Sequence, residues 1–172
     1  EPGKAGVVEA ALADGVLAAQ AMAVLRAATF GPAVSARASG RLAALPGRRV
    51  FACPYQDRPT SVCATGVGDD LAASFAAAGE ALAAAGGSRL TAGSSRLKFD
   101  VVLRTEARTF KRKIDKPKKR DVALYGYWAK DAEGEVAWVL PSELLEREIF
   151  SNRKGEKGIS RKRVEKHFRK RN

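Results

Sequence analysis

The sequence predicts a mixed α/β (α+β) protein: an Ala-rich helical first part, a small antiparallel sheet with flanking helices, and a basic C-terminal helix. Long Ala- and Leu-rich stretches alternate with short β-branched or aromatic runs bounded by Pro and Gly. Alanine falls from 27 residues before position 96 to five from there on. The formal charge of +12 is equally uneven, because residues 1–95 carry a net +1 and residues 96–172 a net +11.

The first predicted element is a helix from Val7 to Ala28. Its apolar positions recur every three or four residues, at Val8, Leu12, Val16, Ala19 and Ala23. Gly15 lies inside this pattern and costs about 1 kcal/mol relative to alanine. We therefore expect the helix to bend or break at Gly15 and to end at Gly31-Pro32.

Two short strands and a second long helix follow. The strands are predicted in RRVFACP and TSVCATG, joined by YQDRP, after one helical turn at SGRLAAL. In the stretch ATGVGDD, the two glycines before an acidic pair indicate a helix start and not an anion site, with Asp69 or Asp70 as the cap. The helix ends at Gly86-Gly87, and its apolar face is formed by Leu71, Phe75 and Leu82.

The inventory of metal-binding and redox residues is small. Cys53 and Cys63 are the only cysteines, and His167 is the only histidine. Four-ligand zinc sites need more of these residues at close spacing, so no metal and no cofactor is expected. We expect reduced, half-buried thiols, with a disulfide across the hairpin as the alternative. His167 lies among cations in the tail, which disfavours a Cys–His catalytic pair.

The Gly/Ser-rich stretch 88–96 is the best linker candidate, and it separates an Ala-rich region, 1–87, from a basic region, 97–172. The basic region begins with LKFDVVLRT, whose alternation predicts a half-buried strand. DVALYGYWA and GEVAWVLP predict an antiparallel hairpin with Gly134 in its loop. Helices are predicted at 141–150, with Pro141 at its start, and at 160–172.

The most unusual stretch is TFKRKIDKPKKRD, residues 109–121, with seven Lys and Arg against two Asp. It connects two predicted strands, and Pro117 cannot lie inside a paired strand. So many like charges in a small region destabilise it unless an anion compensates, and phosphate backbones do so by releasing counterions. We expect nucleic-acid contacts from this stretch and the tail, at Lys111, Arg112, Lys113, Lys116, Lys118, Lys119, Arg120, Arg161, Lys162, Arg163, Lys166, Arg169, Lys170 and Arg171.

Aromatic residues next to the basic stretch supply a second kind of contact. Tyr125 and Tyr127 are candidates for stacking on a base, which contributes about 1–3 kcal/mol per base. Alternation along the strand places Trp128 on the opposite face. We expect Trp128 and Trp138 to fill the core against the helix at 141–150.

Motifs for catalysis and for specific base reading are missing. The sequence has no Walker or dinucleotide loop, no G-x-S-x-G elbow, and no zinc-finger, aromatic RNP or helix-turn-helix pattern. The prediction is a noncatalytic nucleic-acid-binding protein, RNA in preference to DNA, acting as a structural or accessory subunit of a ribonucleoprotein such as a ribosome. We expect other protein subunits as partners and no membrane, since no run reaches about 18 apolar residues. The expected location is intracellular, with an organelle left open.

Two other functions stay open. The order FDVVLRT…KKRDVALYGYW…EVAWVLPSELL resembles the later strands of restriction-endonuclease-like nucleases. That resemblance implies a divalent ion held by Asp100 and Glu106 beside lysines from Lys111 onward. The family's Glu-x-Lys strand is absent, and Glu106-Ala107-Arg108 is its nearest counterpart, so an inactive relative is the form implied. The third reading is a protein-interaction module that docks through the Ala-rich first half.

Overall fold

The computed structural model describes residues 2–31, 40–55, 63–105, 126–130, 136–140, 150–151, 158–159 and 166. The chain divides into two compact units, Glu1–Glu106 and Ala107–Asn172. Helices combine with a three-stranded antiparallel sheet and two two-stranded sheets, so the predicted mixed α/β class is confirmed.

The chain begins with two helices, α1 (Pro2–Ala13) and α2 (Gly15–Phe30), in place of one long helix. The break falls at Asp14, one residue before the glycine where the sequence predicts it. The Asp14 carboxylate accepts a hydrogen bond of 2.9 Å from the Val16 backbone N–H, which satisfies one of the free donors at the start of α2. α2 ends at Gly31, whose φ of 93° suits glycine.

The break at Asp14 changes which face of the helix is buried. α2 buries Leu17, Ala21 and Leu25, whereas Val16 is 62% exposed. The predicted apolar stripe was therefore wrong at Val16 and Ala19, both of which are exposed. The prediction assumed one continuous helix, in which the apolar positions before and after residue 14 share a face. Because a new helix begins after Asp14, the apolar positions of α1 and α2 need not lie on one face.

No single helix in the described part of the chain is long and apolar enough to cross a membrane. α1 and α2 taken together, as Ala5–Ala13 and Gly15–Phe30, meet the length and composition, but they bend by 97° at their junction.

The rest of the first unit is built around a small sheet. A short helix, α3 (Gly40–Ala43), precedes strands β1 (Val50–Tyr55) and β2 (Ala64–Gly66). Helix α4 (Leu71–Gly86) then leads to strand β3 (Arg96–Val101). The strand order is β2-β1-β3, and both pairings are antiparallel, as in Ala52↔Ala64 and Ala52↔Phe99.

The hydrophobic core lies between this sheet and the helices. The predicted face of α4 is confirmed, because Leu71, Phe75 and Leu82 are fully buried. Phe75 meets Phe99 of β3 edge to face, with ring centroids 4.8 Å apart. Asp70 caps α4 by accepting a 2.8 Å hydrogen bond from the Ala73 N–H, as expected from the acidic pair. The buried cluster is Val8, Leu17, Ala21, Leu25, Leu42, Val50, Ala52, Ala64, Leu71, Ala72, Phe75, Ala78 and Leu82.

The Gly/Ser-rich stretch after α4 is joined to α2 by hydrogen bonds. The Arg26 guanidinium donates to the carbonyl oxygens of Ala92, at 2.9 Å, and Ser95, at 3.2 Å. It also lies 5.2 Å from the ring centroid of Phe30. The first unit extends through Glu106, so β3 belongs to the same unit and sheet as β1.

Cys53 and Cys63 form a disulfide, with their Cα atoms 4.4 Å apart, so the expectation of reduced thiols was wrong. The strand register explains the bond. Because Ala52 and Ala64 pair directly, the next residue outward on each strand lies opposite the other, at a separation that suits a disulfide. Cys53 is almost completely buried and Cys63 is half-buried.

The second unit contains two strand pairs within its described residues. β4 (Tyr127–Lys130) and β5 (Val136–Val139) pair antiparallel and confirm the predicted hairpin. β6 (Phe150–Ser151) and β7 (Gly158–Ile159) form a second pair. Phe150 is thus in a strand and not at the end of the predicted helix. The other residues of that helix, 141–149, lie outside the described residues, as does the predicted tail helix except Lys166.

Candidate nucleic-acid interface

Positive charge is concentrated in the second unit. Ala107–Asn172 contains 20 Lys and Arg against 10 Asp and Glu, a net +10, whereas Glu1–Glu106 contains 11 against nine, a net +2. Of the predicted phosphate contacts, Lys166 lies in helical backbone and is exposed. The other 13, in the basic stretch and the tail, lie outside the described residues.

Several cations of the first unit are already held by groups of the same unit. Arg26 binds two carbonyl oxygens, as described above. Arg41 forms an ion pair with Asp14 at 3.4 Å, and Arg49 donates to the Thr65 hydroxyl at 3.5 Å. The contacts of Arg26 join α2 to the stretch before β3, whereas the contacts of Arg41 and Arg49 are exposed and contribute little to stability.

The β4–β5 hairpin sorts its side chains onto two faces. Its register pairs Tyr127 with Val139, Trp128 with Trp138, and Lys130 with Val136. Side chains two residues apart on a strand share a face. Trp128, Trp138, Lys130 and Val136 therefore lie together on one face, here called the Trp face.

Tyr127 lies on the other face of the hairpin. Its cross-strand partner Val139 is only 1% exposed, and Tyr127 itself is half-buried. Tyr125, the second candidate for base stacking, lies outside the described residues. Stacking by these two tyrosines stays a prediction.

The two indoles of the Trp face pack against each other. Their ring centroids are 6.2 Å apart, and their planes are tilted by 34°. Such aromatic pairs contribute about 0.5–1.5 kcal/mol beyond the area they bury. Both tryptophans are half-buried, and residues 141–149, against which they were expected to pack, lie outside the described residues. Part of the surface of each tryptophan residue is therefore accessible.

The remaining two side chains of the Trp face are more open. Lys130 is exposed, and its partner Val136 is 42% exposed. Two residues along a strand span about 7 Å, so the Lys130 side chain starts close to the indole of Trp128. The Trp face thus combines aromatic surface, one positive charge and an exposed aliphatic group.

The pairing of the two tryptophans can be predicted from the sequence. The loop predicted between the strands is centred near Glu133, and residues equally distant from that centre pair in a hairpin. Trp128 and Trp138 are each five positions from it. The burial of the two tryptophans cannot be predicted in this way, because it depends on which neighbouring elements cover the hairpin.

The residues of the nuclease-like alternative are only partly described. Asp100 lies on β3 opposite Phe51 of β1. Glu106 and the lysines of the basic stretch, Lys111 to Lys119, lie outside the described residues. The described residues contain no group of three or more His, Cys, Asp or Glu side chains arranged to hold a metal ion.

Comparison with protein-family models, with curated proteins and with solved structures gives no match to this chain.

Proposed function

We propose that the protein binds nucleic acid through its second unit, RNA in preference to DNA, as a noncatalytic structural or accessory subunit of a larger ribonucleoprotein. The observation that carries this proposal is the net +10 of Ala107–Asn172 beside the net +2 of Glu1–Glu106. Charge spread evenly for solubility would appear in both units.

A phosphate backbone is the partner that suits this charge. Crowded cations repel one another and reduce the stability of the unit that carries them. Phosphates relieve the repulsion, and each neutralised phosphate releases condensed counterions, which favours binding. The basic stretch 109–121 and the tail together supply enough Lys and Arg for a nonspecific affinity of this kind.

RNA is the proposed form because it offers unpaired loops and ends to aromatic side chains. The sequence has no recognition helix or zinc finger of the kinds that read the DNA major groove. Contacts to the backbone and to the shape of the ligand remain, and they position a subunit without requiring catalysis.

The test is the salt dependence of binding. Affinity for a single-stranded RNA is measured at rising ionic strength, for the native protein and for a variant with Lys116, Lys118, Lys119 and Arg120 changed to alanine. Each phosphate contact contributes about 0.7 to the slope of log affinity against log salt for single strands. We expect the variant to bind more weakly at low salt, with a slope shallower by up to about 3.

A matched control removes the same charge from the first unit. Arg41, Arg89, Arg96 and Arg104 are exposed. Their replacement by alanine lowers the net charge by four, as in the first variant. We expect the slope of this control to stay close to that of the native protein. Equal effects of the two variants, or no binding at low salt, would refute the proposal.

A further inference from the structure

We propose that the Trp face of the β4–β5 hairpin is a stacking platform for unpaired bases, so that the ligand is a single-stranded segment of nucleic acid. This inference rests on the proposed function and adds to it the class of ligand. It assigns base contact to Trp128 and Trp138 and not to the tyrosines that the sequence suggested.

The geometry supplies the first argument. Trp128 and Trp138 lie side by side, 6.2 Å between centroids, and both indoles are half-buried. Because the indoles pack against each other and are half-buried, we expect little rotamer entropy to be lost on binding. Bases of any sequence can stack on such a fixed aromatic surface, because every base has a π face.

Charge complementarity supplies the second argument. The exposed Lys130 lies on the Trp face and can meet a phosphate next to a stacked base. Six residues lie between Arg120 and Tyr127, so the seven Cα–Cα steps keep Arg120 within about 25 Å of the start of β4. A strand stacked on the indoles is therefore within a few nucleotides of Arg120.

The acidic loop gives the bound strand a direction. The residues that connect β4 to β5 in the chain include Asp131, Glu133 and Glu135, which repel phosphate. The basic stretch precedes β4 in the chain. The phosphate backbone should consequently run from the Trp face toward the start of β4 and away from the loop.

Intrinsic fluorescence gives a direct readout, because Trp128 and Trp138 are the only tryptophans in the chain. The full-length protein is titrated with three ligands of equal phosphate number: oligo(U), a blunt RNA duplex, and an abasic oligomer that keeps the backbone without bases. We expect oligo(U) to quench the fluorescence and to shield the indoles from acrylamide. The duplex and the abasic oligomer should bind with little effect on either signal.

Two substitutions at one position separate stacking from packing. Trp128→Leu keeps an apolar side chain without a π face, and Trp128→Phe keeps an aromatic ring. Loss of one stacked base corresponds to roughly a 5- to 150-fold weaker affinity. We expect Trp128→Leu to lose affinity for oligo(U) within that range, while its affinity for the abasic oligomer is unchanged. Trp128→Phe should retain most of the affinity for oligo(U).

The outcomes distinguish this inference from the proposed function. If no ligand binds at low salt, the proposed function fails and the inference with it. If all three ligands bind equally and the indoles stay accessible to acrylamide, the proposed function stands and the inference is refuted. The acrylamide measurement uses the native protein, so this test holds even where Trp128→Leu unfolds the hairpin.

Discussion

A single hydroxyl group joins three segments of the first unit. Ser74 is fully buried, and its Oγ donates to the Asp70 carbonyl oxygen at 2.8 Å. The same oxygen accepts from the backbone N–H groups of Gly68, at 3.0 Å, and Arg48, at 3.2 Å. One donor and two acceptor positions are all that a hydroxyl has, so the group is fully used.

Removal of this hydroxyl should be costly. Ser74→Ala leaves the N–H groups of Gly68 and Arg48 without their partner, and an unsatisfied buried donor costs about 1–3 kcal/mol. We expect the free energy of unfolding to fall by roughly 2–4 kcal/mol in a urea titration. The exposed Ser88 provides a control, since Ser88→Ala should change it by less than about 0.5 kcal/mol. Equal effects at the two positions would show that the hydrogen bonds of the Ser74 hydroxyl contribute little to stability.

Gly66 is required by close packing of β2 on α4. A Cβ atom at this position would overlap the backbone of Ala78, which a small side-chain movement cannot relieve. We expect Gly66→Ala to destabilise the protein by about 1–3 kcal/mol or more, measured by thermal or urea unfolding. Gly93→Ala is the matched control, because nothing lies within 4 Å of its added Cβ. A stable Gly66→Ala protein would contradict this packing.

At the scale of elements, the disulfide is the covalent link between β1 and β2. The two strands share only three residue pairs, and β2 is three residues long. Cys53 and Cys63 are ten positions apart, so their bond closes a short loop of the unfolded chain. Loop closure of this kind stabilises a folded protein by about 2–4 kcal/mol.

The contribution of the disulfide to stability can therefore be measured by reducing it, without a mutation. We expect the reduced native protein to unfold at a lower urea concentration than the oxidised protein, with a loss of about 2–4 kcal/mol. A Cys53→Ala/Cys63→Ala variant is the control, since its stability should not respond to the reductant. Thiols in the cytosol reduce most disulfides, so the stability of this hairpin depends on the compartment. Identical unfolding of the reduced and oxidised forms would show that the disulfide does not stabilise the protein.

At the scale of the whole molecule, the two units differ in composition and in charge. Every residue of the buried cluster lies between Val8 and Leu82, inside Glu1–Glu106. β3 completes that unit, because it pairs with β1 along six residues and packs Phe99 against Phe75. The first unit therefore has a core and a sheet of its own.

Truncation tests where this unit ends. We expect a fragment of residues 1–106 to unfold cooperatively, as followed by circular dichroism during urea titration. A fragment of residues 1–95 lacks β3 and should lose cooperativity or unfold, since one face of Phe75 and one edge of β1 are then uncovered. Similar transitions for the two fragments would mean that β3 contributes little to the unit.

Local signals in the sequence were enough to predict α4, the strands β1 to β5 and the helical character of residues 7–28, but not β6 and β7. Asp70, Gly31 and the Gly86-Gly87 pair act through hydrogen bonds and backbone freedom within a few residues, so their effects can be predicted without knowing the fold. The β4–β5 hairpin and the buried face of α4 follow from alternation and helical spacing in the same way. The segregation of positive charge is likewise a property of the chain itself.

Contacts between distant residues were beyond such local signals. The Cys53–Cys63 bond depends on the register of β1 and β2, and the place of β3 in the first unit depends on its pairing with β1, from Val50↔Val101 to Tyr55↔Arg96. The exposure of Trp128 and Trp138 depends on what covers the hairpin. Local patterns specify which backbone conformation a segment prefers. Burial and strand pairing arise from packing between segments that are distant in sequence, so a short stretch of sequence does not determine them.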